Sequence, residues 1–284
     1  AVRAFRNHHR STRSAGPPLC EPTQRSSITV RSAPVSLADK TVLFPNWDAL
    51  SLPLLVAALR RRGMDARLLG GSSGSIRRGV RHNTGQCTPL NIIAQDFMEY
   101  VDAHGLDPGR AVLWTPASSI ACNIRLYPQH IRDILTSHGR GFERSEVYAG
   151  ALSLQDISAT LPFDAYLAYM FGGFIWRMGC RTRPYERWPG KTDRAIEEGM
   201  ARLVEAFEGS RSKEEALAGV IVDFRAIECT EGERRPEVAI FGDLYSRDND
   251  TLNQDLVRFI EAHGGDVITT PYTSYAKIVV RPYS

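Results

Sequence analysis

The chain has 284 residues, 43% of them hydrophobic, and 35 Lys and Arg against 32 Asp and Glu, a formal net charge of +3. That length can bury a substantial core, in two domains or in one domain and part of another. So small a charge excess gives no electrostatic case for nucleic acid, and no apolar run is long enough to cross a bilayer, so neither nucleic acid nor a membrane is expected as a partner. Five cysteines, an odd number scattered through the sequence, do not make a secreted disulfide framework and predict a reducing, cytoplasmic setting. Beginning at Ala1 and stopping at Ser284 inside an α/β unit, the chain reads as a piece of a longer polypeptide.

Residues 1–36 carry six arginines against the single Glu21, together with Pro17, Pro18 and Pro22, and show no hydrophobic period. They read as a flexible basic linker, with Cys20 inert inside it. The Arg- and Ser-rich composition also suits a mitochondrial transit peptide, but an amphipathic helix is missing.

Regular structure is expected from Thr41. TVLFP is a strand, the following segment carries Leu52, Leu55, Val56 and Leu59 at helical spacing up to Gly63, and MDARLL is the next strand. Gly70–Ser75, GGSSGS, matches no phosphate-binding fingerprint and reads as a flexible connection. A helix follows with Thr88 as N-cap and Pro89 as its first residue, carrying Leu90, Ile93, Phe97 and Val101 until Gly105. Ala111–Trp114 is a buried strand, Pro128 opens a helix with Ile131, Ile134 and Leu135 ending near Gly139, and EVYAGALSL is a further strand.

This alternation predicts an α/β domain, residues 37–153, built on a doubly wound, mostly parallel sheet. Residues 154–232 form a helical section. Within it, the aromatic-rich stretch Ile157–Met178 reads as core, Gly172 and Gly173 as a close approach or a break, and Ser212 with Glu215 as a capping box. Residues 233–284 begin a second, incomplete α/β domain: PEVAIFGD as strand, DNDTLNQDLVRFIEAHGG as one helix with Leu252, Leu256, Phe259 and Ile260 inward, and DVITTP as strand.

Chemistry concentrates in residues 81–130. Cys87 and Cys122 each lie in a polar loop just ahead of a helix that opens near a proline, where the positive end of the helix dipole favours a thiolate suited to metal ligation or nucleophilic attack. If the order is strand, loop, helix, both fall on the rim formed by the carboxyl ends of the strands. His82 is read as a hydrogen-bonding loop residue ahead of a catalytic base. The Arg181, Arg183, Tyr185, Glu186 cluster is read as a structural ion-pair network ahead of an anion site.

Five stretches, HNTGQCTPLN (82–91), ACNIRLYP (121–128), RPYE (183–186), FGDLYSRDN (241–249) and IEAHGGDVITTP (260–271), together resemble the 2-hydroxyacyl-CoA dehydratase superfamily. The resemblance is to the dehydratase-like portion of acyl-CoA dehydratase activase-related proteins, of the 2-hydroxyglutaryl-CoA dehydratase and benzoyl-CoA reductase type. It covers about 240 residues, from Thr41 on.

That resemblance implies a [4Fe-4S] cluster with Cys87 and Cys122 as ligands, a low-potential electron delivered by an ATP-hydrolysing activase, and an acyl-CoA substrate. The family's third ligand comes from the second α/β domain. Cys180 is a weaker substitute here, and Cys229 is an ordinary cysteine at a helix end. Ser118 and Ser119 are placed to meet the acyl-CoA. The chain departs from the dehydratases at Asp243, where a glutamate is frequent, and around Cys122, which lacks a Gly-Pro-Cys form. Two other readings stay open: a non-catalytic docking module of a larger activase-related protein, and a hydrolase or transferase with Cys87 as nucleophile and His82 as base.

Overall fold

The computed structural model describes residues 37, 39–82, 85, 87–117 and 122–270, all within a compact unit spanning Val35–Ser284. The basic segment 1–36, with Cys20, lies outside the described residues. Strands β1 (Thr41–Phe44), β2 (Asp65–Leu68), β3 (Ala111–Pro116) and β4 (Glu146–Gly150) form one sheet in the order β2-β1-β3-β4, with every pair parallel. From β1 the chain goes to β2 on one side and then to β3 on the other, so the strand order reverses between β1 and β3.

Helices cover both faces, as the apolar runs of β1 and β3 require. On one face Val42, Phe44, Val112 and Trp114 pack with α1 (Leu52–Arg60), and with two helices described below. The alternate residues Leu43, Leu113 and Val147 pack on the other face with Phe97 and Val101 of α3 (Thr88–Ala103) and Ile131 and Leu135 of α4 (Tyr127–His138). This is an α/β fold on a parallel sheet.

Between β2 and α3 the expected flexible connection is instead helix α2 (Ser73–Gly79). A reciprocal capping box holds it: Ser75 N donates to Ser72 Oγ at 3.0 Å and Ser72 N to Ser75 Oγ at 2.9 Å. Serine replaces the usual Glu of that motif, and the glycines hid the helix from a propensity reading.

Next comes the helical section, α5 (Leu161–Thr182), α6 (Lys191–Glu208) and α7 (Lys213–Arg225), the last capped by Ser212, whose Oγ accepts from Glu215 N at 3.2 Å, one half of the expected capping box. Helix α5 runs unbroken through Gly172 and Gly173 and adds Ala168, Phe171 and Ile175 to the core shared with Leu203 and Phe207 of α6. Not all its aromatics are core. Phe163, Tyr166 and Phe174 are 66%, 58% and 44% exposed, because the 3.6-residue period turns them away from the buried face.

The C-terminal part departs most from expectation. A short helix α8 (Leu244–Asp248) comes first, and in place of the one expected helix there are two, α9 (Asp250–Asn253) and α10 (Leu256–Ala262), separated where Gln254 and Asp255 take φ of 58° and 55°. Val257 and Glu261 are the buried residues of α10, while Phe259 is 59% exposed. The flanking strands β5 (Glu237–Ala239) and β6 (Asp266–Ile268) pair in parallel and are shorter than their apolar runs.

Two consequences can be measured. A Cβ on Gly172 would stand 2.3 Å from Ser51 Oγ and 2.8 Å from Ser51 N, backbone that cannot swing aside. Gly172→Ala is therefore expected to lower unfolding free energy by about 1–3 kcal/mol in urea titrations. Asp96 of α3 is buried, its Oδ1 lacks a partner among the described residues, and burial pushes its carboxyl up to about 6 from 3.8. Because the folded chain then binds that proton more tightly than the unfolded one, stability falls as pH rises from 3.8 to about 6 and stays reduced above. Asp96→Asn should match the wild type near pH 4 and exceed it at pH 8 by roughly 1–3 kcal/mol.

Candidate functional site

Because the strands all run one way, the helices after β2 and β3 start at the rim of their carboxyl ends. Cys87 is itself the N-cap of α3, one residue earlier than expected, with Thr88 and Pro89 inside the helix. Its side chain makes no capping bond, so the sulfur is free to face elsewhere. Cys122 precedes a 3₁₀ turn, Asn123–Leu126, that runs directly into α4.

Both thiols lie near a residue not singled out from the sequence. Tyr127, the first residue of α4, is 5% exposed, and its phenol lies in the field of Cys87, Asp243 and Cys122. Burial, and then the Cys87 sulfur, hold its phenol protonated well beyond the usual tyrosine range. Asp243 comes from the FGDLYSRDN stretch, where its Oδ1 caps α8 by accepting from Ser246 N at 3.0 Å. Cys87 is half-buried against the core under α3 and α4, whereas Cys122 is exposed. An aromatic directly ahead of helix-opening Pro128, five residues after Cys122, was the sequence signal for Tyr127.

FGDLYSRDN is also the seam that closes the C-terminal part onto the rim. Tyr245 packs against the cores on both faces of the sheet, and Asn249 Nδ2 donates to Asn46 O, just past β1, at 2.7 Å. Arg247 pairs in two-pronged fashion with buried Asp248 at 2.6 and 2.7 Å. Beside the seam lies a cavity of ≈ 260 Å³ whose lining includes Asp48, Asp248, Asp250, Asp255, Arg183 and Arg258. Burial raises the Asp48 and Asp250 carboxyls and pushes Asp248 up to about 6. Its carboxylate-rich wall does not suit a phosphate-bearing ligand.

The other expected residues separate clearly. His82 bonds through Nε2 to Gln95 Oε1 at 2.9 Å, at the end of a chain in which Gln95 Nε2 donates to Glu99 at 2.6 Å and Arg78 grips Glu99 with Nε and Nη2. It is a hydrogen-bonding loop residue, as expected. Cys180 is 1% exposed among Val257 and Val267, and burial pushes its thiol up to about 12, which makes it a core thiol and a poor ligand. Cys229 is exposed, its sulfur turned to Ile227 O just past α7.

RPYE is structural: Arg183 reaches both oxygens of Glu261 at 2.9 and 3.0 Å and Asp193 at 2.9 Å, and Glu186 receives Gly190 N and Thr192 N at 2.7 Å each. Ser118 and Ser119 lie outside the described residues.

Among the described residues, no group of three or more His, Cys, Asp or Glu is placed to hold a metal ion, and no helix is long and apolar enough to cross a membrane. Compared with family models, curated proteins and solved structures, the chain matches none.

Exposure sets an order of thiol reactivity that peptide mapping can read. Brief treatment of the folded protein with a maleimide should label Cys122 and Cys229 first and Cys87 more slowly. Cys180 should react only on unfolding; its labelling on the same timescale as Cys122 would contradict the buried assignment.

Proposed function

We propose that this chain is an iron–sulfur, dehydratase-like component of an ATP-driven acyl-CoA dehydratase system, with Cys87 and Cys122 as two ligands of a [4Fe-4S] cluster. The observation that supports this reading is that both thiols stand at helix starts on the carboxyl rim of one parallel sheet, near Tyr127, although 35 residues separate them in sequence. Thiolates are the donors such clusters take, and the start of α3 adds partial positive charge to balance anionic sulfur. The described cysteines are all free, which agrees with a reducing, cytoplasmic setting.

When bound, the cluster supplies a one-electron carrier of low potential. Held by Cys87 and Cys122, it would take that electron from an ATP-hydrolysing activase domain or subunit and serve the reduction of a 2-hydroxyacyl-CoA or related thioester. The cluster's remaining donors come from another side chain, a second polypeptide or solvent, since no third donor joins the pair among the described residues. Of these residues Tyr127 is buried, Cys87 half-buried and Cys122 exposed.

The second reading is a docking module without turnover. RPYE and FGDLYSRDN favour it in one respect, because their side chains serve internal bonds that such a module would keep. A Cys87 nucleophile with His82 as base is disfavoured, because the His82 Nε2 is bonded to Gln95.

Anaerobic reconstitution of the full chain with ferrous iron and sulfide discriminates between these. The expected result is about four irons and four acid-labile sulfides per chain, with an EPR signal after dithionite reduction, lost in both Cys87→Ala and Cys122→Ala. A folded wild type that takes up no iron would leave the docking module as the better account.

A further inference from the structure

Helix α5 packs one side into the core and keeps a second apolar side in water. Phe163, Tyr166 and Phe174 are 66%, 58% and 44% exposed, and Met170 between them is half-buried. At about 100° per residue these four stand within roughly 80° of arc, along some 16 Å of helix. Arg177 and Arg181, both exposed, continue the same stripe at its C-terminal end, and exposed Asp156 precedes its N-terminal end. A lone aromatic on a surface is ordinary. Three on one helix face leave a patch of roughly 300 Å², a size at which surface patches are often functional.

The order of the residues selects the occupant, because the stripe matches itself when read backwards. Turned about a two-fold axis between Tyr166 and Met170, one α5 sets Phe163 against Phe174 of a second copy and Tyr166 against Met170. The same rotation carries the arginine end of each helix toward the end that follows Asp156 in the other, whereas a parallel pairing would set arginine against arginine. We propose that the face of α5 carrying Phe163, Tyr166, Met170 and Phe174 is the contact between two copies of this chain, packed antiparallel. A standard interface covers about 800 Å² on each partner, a little over half of it apolar. The three aromatics, Met170 and the arginine stems supply most of that apolar part, and the charged ends of the stripe form its rim.

Sedimentation equilibrium of the full chain, at concentrations up to about 100 µM, reads the contact directly. Expected are a reversible dimer in the wild type, association weakened about tenfold or more in Phe174→Glu and in Phe163→Lys, and an unchanged dimer in Val80→Glu. Val80 is a comparably exposed apolar residue, 52%, beside α3 on the other face of the sheet. Combining Phe163→Lys with Phe174→Glu fixes the direction: antiparallel copies then oppose unlike charges and recover the dimer, while parallel copies oppose like charges and stay apart. A wild type that remains monomeric overturns the proposal without recourse to any variant. So does a dimer that survives both single substitutions, or a double variant that folds, by circular dichroism, and fails to recover association. In the monomeric case, co-sedimentation with anionic phospholipid vesicles that is lost in Phe174→Glu would assign the stripe to a lipid surface instead.

Discussion

The four strands of the sheet run in one direction, and most of what this chain can do follows from that constraint. Parallel strands need a crossover between neighbours, and each crossover helix returns from the carboxyl edge, so helix beginnings collect on a single rim. Cys87 and Cys122 share a neighbourhood because both precede such helices, α3 and α4. A long stretch of intervening chain is simply the route out along one helix and back along β3.

A second layer of organisation fastens the C-terminal part to this rim. Tyr245 touches both cores, Asn249 reaches the backbone after β1, and Asp243 lies near Tyr127, all from one short stretch. The buried Arg247–Asp248 pair sits in the same stretch; a pair of that kind contributes less to stability than to fixing one arrangement. Burial of Asp48 and Asp96 near this seam works against stability and is carried by the apolar packing around it.

The sheet and its flanking helices were legible because their signals are local and strong. Two-sided apolar runs marked β1 and β3, and Leu90, Ile93, Phe97 and Val101 marked α3 at helical spacing. What escaped detection depended on capping chemistry or on long-range contact. Helix α2 is held by a serine pair that composition reads as a flexible connector. The breaks at Gln254 and Asp255 place non-glycine residues in the left-handed region, which no propensity announces. At the site, the thiols were visible as residue types, but the buried Tyr127 near them was not, because a tyrosine gains that meaning only from what lies across the fold.

The bonded chain ending at His82 fixes more than a position. Arg78 occupies both oxygens of Glu99, and a carboxylate in that pair can only accept, so the group facing Glu99 from Gln95 must be its amide nitrogen. The Gln95 carbonyl oxygen is then the atom left for His82, and Nε2 of the imidazole must bear hydrogen. A surface arginine four residues earlier, on α2, thus selects through two side chains of α3 the tautomer of a ring five residues before Cys87: when neutral, His82 keeps its lone pair on Nδ1.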